Sequence, residues 1–543
     1  MSRDAVADQN TLRAIQAVAK AGNHSQAAAL AEAALADGLE HPLLYNLAAL
    51  RLEHEGRVSE AEPLLRRALE LAPADLGARN ALGLCLLRLE RPADALVEFE
   101  ALLGLNATLP FAHASRGSAL FALGDIHAAE ASFRRALELD PNQVVALAGL
   151  ATLTSSRGAY PAARMWAEKA LSILPDYPDA ILSLAAAELG EKDRPAAETR
   201  LRRLLSNTQL SPLDRAYANG LLGDALDAQD RVDEAYAAYS TSNRLQQEVY
   251  ADRFGNQPGA LEYARTLIRY FESDAAAAWK SRATPDARST GATGHVFLLG
   301  FPRSGTTLLE VILEGHPDIV SLEENESLID SVNEFMQTPQ DLERLLRAKP
   351  AVLQEFRAAY WHHVARAGVN VAGRMFVDKH PFNTLKLPLI ARLFPDAKIV
   401  FACRDPRDIV LSCFRHRFRM SAPIYELLTL EGAAHYYDAV MQLAVRFSAV
   451  LSLETCLVRH EDVVTGFQRE MKRICDFLGL EWAAAMGDFA LRTQNRAWLT
   501  PSTAQLMRGL STEGLGQWRR YQAHLAPVLS ALDLWVKRFF YED

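Results

Sequence analysis

The sequence predicts a multidomain chain: an all-α repeat superhelix followed by an α/β domain built on a parallel sheet. Three observations predict it. Small residues recur every 34 positions through the first part of the chain, the period is lost near residue 249, and the second half twice runs from an apolar strand through a turn into a helix. At 543 residues the chain exceeds one ordinary core, so two or three domains are expected. The pattern sets boundaries at 9–248 for six or seven repeats, 249–293 for a helical connector and linker, and 294–543 for the α/β domain.

The repeat is carried by Ala27, Ala61, Ala95, Ala129, Ala163 and Ala197, each 34 residues after the last. A second track at the same step reads Ala34, Ala68, Leu102, Ala136, Ala170 and Leu204. Pro73, Pro141 and Pro175 stand at multiples of 34 from one another, as do Gly56, Gly124 and Gly158. Two antiparallel helices need a small residue where their axes approach closely. A glycine joins them, and proline marks the exit from the second. This pattern resembles the tetratricopeptide repeat. One such unit cannot bury its apolar face alone, so neighbours stack into a superhelix. Its concave surface is expected to bind a protein or peptide partner or a substrate segment, or to act as a rigid platform.

After Trp279 the stretch Lys280–His295 is rich in Ser, Thr, Gly and Ala and reads as a linker. HVFLLGF (His295–Phe301) is a buried strand by its apolar run. The helical spacing of Leu308, Leu309, Ile312 and Leu313 follows the turn PRSGTT. A strand, a Gly-containing loop and a helix N-terminus together make an anion cradle. Gly300-x-x-x-x-Gly305-Thr306-Thr307 nearly matches the nucleotide-binding G-x-x-x-x-G-K-[ST], but Thr306 replaces the lysine. A nucleoside-triphosphate hydrolase or kinase uses that lysine with Mg²⁺. A donor without a γ-phosphate needs neither, and Arg303 brings a positive charge into the loop.

GFPRSGTTLLE resembles the 5′-phosphosulfate loop of sulfotransferases, and most closely that of the protein-tyrosine sulfotransferase branch. The resemblance implies a P-loop-like domain that uses 3′-phosphoadenosine-5′-phosphosulfate (PAPS) as co-substrate, without a metal. It makes Arg303, Ser304, Gly305, Thr306 and Thr307 donor-binding. AKIVFACRDPRDIVLSCF (Ala397–Phe414) is a second strand–turn–helix and resembles the family's 3′-phosphate motif, an arginine followed eight residues later by a serine, here Arg404 and Ser412. An arginine fork suits a terminal phosphate. The family's further basic residue, four positions on, is His416 here, flanked by Arg415 and Arg417. TCLVRHEDVV (Thr455–Val464) resembles a later family strand, with Arg459 and His460 in place of its aromatic residue.

Sulfuryl transfer needs a base for the acceptor hydroxyl and cations where charge develops. Glu324 lies 21 residues after Arg303, in a Glu323–Glu324 pair downstream of His316–Pro317. By resemblance it is the general base. Lys379, in VDKHPFN, matches the lysine that stabilises the leaving oxygen, shared with Arg303. His380 beside it is the alternative base; an adjacent side chain on an extended segment points the other way. Ser502, in TPSTAQLMRGLSTEGLGQW, resembles a serine of the donor-covering segment, with 503–512 as the rest of that lid. Trp518 reads as core.

The acceptor side departs from the tyrosine-modifying branch. Glu326 and Asp330 stand where that branch holds acidic peptides with arginines, and like charges repel. The acceptor is therefore open among a protein tyrosine, another protein motif, a glycan and a small molecule. The alternative to an enzyme is a repeat scaffold with a non-catalytic nucleotide-binding domain. The net charge of −9 argues against a general nucleic-acid binder while leaving room for a local basic pocket. The N-terminus has no apolar signal core, and no run of about 18 apolar residues spans a membrane. The five cysteines lack metal or disulfide spacing, which fits a cytoplasmic protein. A second copy of the chain, as a homodimer, remains open among the partners.

Overall fold

The computed structural model describes residues 5–255, 258–280, 291–494 and 509–541. The chain divides into two compact units, Met1–Lys192 and Asp193–Asp543.

In the first unit helices pair along the chain: Ala5–Lys20 with His24–Ala36, Pro42–His54 with Val58–Leu71, Leu76–Arg88 with Pro92–Leu105, Pro110–Leu123 with Ile126–Leu139, and Val144–Ser156 with Tyr160–Ile173. Ala27, Ala61, Ala95, Ala129 and Ala163 are all 0% exposed, as their places at the helix contacts require. Gly56, Gly124 and Gly158 follow first helices of these pairs, each with positive φ (79°, 89° and 73°). Pro73, Pro141 and Pro175 each come two residues after the end of a second helix. Asp75 and Asp125 cap helices by accepting from the backbone N–H of Ala78 and Ala128, both at 3.0 Å. Phe133 fills the space that Gly117 leaves; a Cβ there would lie 2.7 Å from its ring. Burial between such faces, rather than helix propensity, holds the array together.

The second unit opens with helices Arg194–Leu205, Pro212–Asp227 and Val232–Tyr250, of which the latter two pack against each other. Helix Ala260–Glu272 lies on the long helix Leu430–Val450, where Phe271 meets Phe447 edge-on at 4.9 Å. Five strands follow: β1 Gly294–Gly300, β2 Ile319–Glu323, β3 Met375–Lys379, β4 Lys398–Cys403 and β5 Thr455–Arg459. Their order is β2-β3-β1-β4-β5 and every pairing is parallel. Both faces are covered, so β1 reads as an unbroken apolar run; Val296, Phe297, Leu298 and Leu299 are 0% exposed. Val296 and Leu298 pack with Leu309, Ile312, Val377, Val400 and Val458 in one cluster.

In a parallel sheet all strands end on one side, and ligands gather outside those carboxyl ends where the order reverses. Here β2 and β3 lie to one side of β1, and β4 and β5 to the other. The residues singled out from sequence sit at these ends: Pro302–Thr307 after β1, Glu324 after β2, Lys379 closing β3, Arg404 after β4. The later strand stops at Arg459, and His460 begins the helix His460–Thr465. No helix among the described residues is long and apolar enough to cross a membrane.

Candidate functional site

A cavity of about 1030 Å³ opens at the carboxyl ends of the strands. Arg303, Gly305, Thr306, Thr307, Arg404 and Ser412 line one part of it, and Glu324, Glu326 and His380 another. Arg303 and Arg404, from separate strand ends, therefore face the same space.

The loop after β1 is tightly fitted. A Cβ on Gly300 would lie 2.7 Å from Ser304 Oγ, and one on Gly305 2.6 Å from His460 Nδ1. Gly305 also has φ of 99° and leads straight into the helix Thr306–Leu313. Arg303 sits at φ 70°, a left-handed conformation that non-glycine residues seldom adopt. Its Nε donates to Ser412 Oγ at 2.9 Å, tying the two strand–turn–helix corners together. Burial, reinforced by Arg404 and Arg415, lowers its pKa to about 10, so it stays protonated at neutral pH. Arg404 donates to the carbonyl of Gly514 and lies 3.7 Å from Asp408. Asp408 in turn accepts from the backbone N–H groups of Gly516 (2.7 Å) and Trp518 (2.9 Å), which fixes the C-terminal segment over the helix Pro406–Arg415.

Several buried polar atoms here have no protein partner: Ser304 Oγ, Arg404 Nε, His380 Nδ1 and His416 Nε2. Polar atoms out of reach of water are costly unless bonded. Arg404, His380 and His416 line the cavity, and such atoms beside arginines and a helix N-terminus suit an anionic ligand with several oxygens.

Beside this region lies a cluster of charge. Lys379, 0% exposed, holds its Nζ 2.8 Å from Glu324, 3.4 Å from Glu323 and 3.5 Å from Glu310. The parallel register places Glu323 level with Lys379 across the β2–β3 pair. Glu324 N–H donates to the carbonyl of Lys379, carrying the ladder one step beyond β2. Glu324 adopts φ 39° there, so its carboxyl both reaches the lysine and faces the cavity. Burial opposes charge on Lys379, but the carboxyl groups of Glu310, Glu324 and Glu323 overcome it and raise its pKa. Burial would raise Glu324; Lys379, His380 and Arg303 outweigh it and hold the pKa below the usual range. Glu323 goes the other way, to about 7, because burial and two neighbouring carboxyl groups exceed the pull of Lys379.

Of the two neighbours at the end of β3, His380 lines the cavity and Lys379 does not. His380 Nε2 lies 3.1 Å from Glu326, which also pairs with Lys386. His380 and Lys386 hold the Glu326 carboxyl well below its usual range against the opposing effect of burial. Asp330 pairs with His363 at 2.9 Å. Glu326 and Asp330 are thus engaged locally. Ser502 and residues 503–508 lie outside the described residues. Gly509, Leu510 and Ser511, further along the expected lid, line the cavity. Trp518 is buried, with Arg407 stacked 3.9 Å from its ring centre, as a core residue would be.

Sequence reasoning marked His460 only as a replacement for an aromatic residue, and it missed Asp224 and Asp227. His460, beside Gly305, lines the cavity, and burial together with Arg404 and Arg303 lowers its pKa to about 3, so it is neutral. Its position one residue past β5 was the available signal. Asp224 and Asp227, near and at the end of helix Pro212–Asp227, also line the cavity, and no local pattern marks them. Arg459 points elsewhere, over the ring of Tyr541 at 4.5 Å.

Comparison with known proteins finds similarity in both parts of the chain. The chain is 23% identical to an uncharacterized protein of Aquifex aeolicus over 62% of its own length and 44% of that protein. It is 24% identical to protein-tyrosine sulfotransferase 2 of Gallus gallus over 44% of this chain and 68% of that one. The chain thus spans less than half of the Aquifex protein. Among solved structures, the sulfotransferase domain of the Synechococcus PCC 7002 olefin synthase aligns with 46% of this chain and 98% of its own, at 22% identity and a TM-score of 0.28. Tetratricopeptide-repeat models match residues 12–75, 48–110 and 110–143, and the Sulfotransferase family model matches residues 295–484. The chain carries tetratricopeptide repeats followed by a sulfotransferase-family domain.

Proposed function

We propose that this protein transfers a sulfuryl group from PAPS to a hydroxyl acceptor, with no metal in the step. The observation that carries the reading is the single cavity shared by Arg303, Arg404 and Glu324. In it, Thr306, Thr307 and the backbone N–H groups of the loop from Ser304 receive the 5′ end of the donor, while Arg404 and Ser412 receive the 3′-phosphate. Glu324 takes the acceptor's proton as the acceptor oxygen bonds to sulfur. The bond from sulfur to the phosphate oxygen breaks, and adenosine 3′,5′-bisphosphate leaves with the extra charge. Arg303 stabilises that charge, with Ser502 from the covering segment. Lys379 acts on the leaving oxygen by family resemblance; its three carboxyl partners favour a role in orienting Glu324.

A second reading has a specific observation behind it. Lys379 depresses Glu324, which weakens it as a base, while His380 faces the cavity with a partnerless Nδ1 and is oriented by Glu326. His380 is then the base and Glu324 an electrostatic partner. Turnover of single variants separates the two: transfer lost in His380→Asn and kept in Glu324→Gln assigns the proton to histidine, and the reverse assigns it to Glu324.

In this proposal the repeats over 9–248 bind the acceptor-bearing partner, 249–293 connects, and 294–543 catalyses. A protein tyrosine and a glycan are both acceptors to test, and a homodimer is a further option for assembly. Five buried, unpaired cysteines support a cytoplasmic setting. Against a scaffold with a silent domain, adenosine 3′,5′-bisphosphate should raise the melting temperature without magnesium, since saturation at 100-fold over Kd adds about 2.7 kcal/mol. Labelled sulfate from PAPS should then appear in acceptors of a cell lysate. Stabilisation by ATP with magnesium, and none by the bisphosphate, would sink the assignment.

A further inference from the structure

Arg415 and Arg417 flank His416 where the helix Pro406–Arg415 ends and the chain becomes extended (His416 φ −96°, ψ 140°). Both arginines turn toward the helix Pro212–Asp227. Arg415 pairs with Asp227, with its guanidinium 5.6 Å from the ring centre of Tyr239 and 5.4 Å from that of Tyr521. Arg417 donates to Asp224 Oδ2 at 2.7 Å and lies 5.4 Å from the ring centre of Tyr217. Gly220, one turn before Asp224, makes room: a Cβ there would sit 2.7 Å from Arg417 Cδ. Both aspartates have further anchors. Tyr239 donates to Asp224 at 2.9 Å, and Tyr521 to Asp227 at 2.7 Å. The same face is fastened once more by Asn243, which donates to the carbonyl of Phe414 at 2.9 Å.

His416 lines the cavity between Arg415 and Arg417, whose charges are engaged by the aspartates; its ring is 4.5 Å from that of Phe418 and its Nε2 is buried without a partner. Burial, Arg303 and Arg417 keep the imidazole neutral. A neutral ring can donate or accept one hydrogen bond at that nitrogen.

We infer that Asp224 and Asp227 are positioning residues: by clamping Arg417 and Arg415 they fix His416 as a hydrogen-bonding contact for the anionic donor. This rests on the sulfotransferase reading and deepens it. The two arginines, fully charged, spend that charge on aspartates rather than on the donor. The donor site thereby keeps Arg303 and Arg404 as its principal cations. A side chain held through two short, ring-backed ion pairs has few alternative orientations, and binding then carries less ordering cost.

The test measures the dissociation constant of adenosine 3′,5′-bisphosphate for the full chain by calorimetry, beside the melting temperature. His416→Ala is expected to weaken binding roughly tenfold. Asp224→Asn with Asp227→Asn should weaken it about as much. Adding His416→Ala to that pair should cost little more, because all three act through one contact. The charge-reversed pair Asp224→Arg with Arg417→Asp should recover part of the loss. Additive losses would overturn the positioning role. So would a lowered melting temperature with unchanged bisphosphate affinity. If the unaltered protein fails to bind the bisphosphate, the sulfotransferase reading falls first. If it binds and the aspartate variants bind equally well, only the clamp fails.

Discussion

The two compact units bury different chemistry. Among the described residues of the first unit, Glu188 is the one charged residue that is buried, and the interior is otherwise mainly alanine and leucine with a few isoleucines, aromatics and serines and one cysteine. The second unit buries Glu310, Arg357, Asp378, Lys379, Asp405, Arg407, Asp408 and Glu470. Charges inside a protein bring a desolvation penalty that pairing only partly offsets. A repeat array needs surface area between like elements and can do without them. A sheet that carries the proposed chemistry keeps them, because shifted protonation states are what proton transfer requires. The contrast teaches where each unit is vulnerable: the first to lost volume, the second to lost partners and to pH.

The largest effect tests the chemistry itself. Glu324→Ala should lower sulfuryl transfer by about 10²–10⁴-fold while leaving bisphosphate binding in place, as read by turnover and calorimetry. Retained turnover would remove Glu324 as base and leave His380. Next, Lys379→Ala strands three carboxyl groups, and denaturant unfolding should lose about 3–5 kcal/mol. A loss below 1 kcal/mol would mean that the cluster is hydrated and that the contrast in burial is weaker than drawn.

The third test uses acid. Burial lowers the pKa of His295 to about 3, against an unfolded value near 6.5. Unfolding therefore takes up a proton between those values. The contribution is complete above about pH 6.5 and declines as the pH falls toward 3. Between pH 7 and 5 each such histidine should remove about 2 kcal/mol, and His295→Gln should shrink the measured difference by that amount. The decline belongs to the second unit, where His416 and His460 are also held neutral by burial. Hydrogen exchange that accelerates first in the repeats on acidification would break the comparison. The smallest effect is Ile126→Val in the first unit, about 1 kcal/mol in thermal unfolding at any pH from 5 to 8.

Legibility divides along the same line. The alanine track was readable because helix contacts between neighbours impose one small residue at a fixed step, and Ala27 through Ala163 are buried to the last atom. Strands β1 and β4 were readable because burial on both faces leaves an unbroken apolar run. In the site, Arg303 and Arg404 could be found through motifs that carry their own local geometry. Which of Lys379 and His380 faces the cavity could not: alternation along a strand says that they oppose each other and leaves open which way the pair is turned. Asp224 and Asp227 were invisible because their partners lie nearly two hundred residues away, and nothing in the repeat period distinguishes an aspartate that meets water from one that meets Arg415 or Arg417.

Arg303 and Glu324 both occupy backbone angles that suit glycine better than any residue with a side chain. The backbone alone would be eased by giving either position up, since a left-handed residue costs about 1 kcal/mol. Glycine at either position relaxes the backbone but gives up the Arg303–Ser412 bond or a carboxyl partner of the fully buried Lys379, so the thermal unfolding of Arg303→Gly and Glu324→Gly reads which of the two effects is larger.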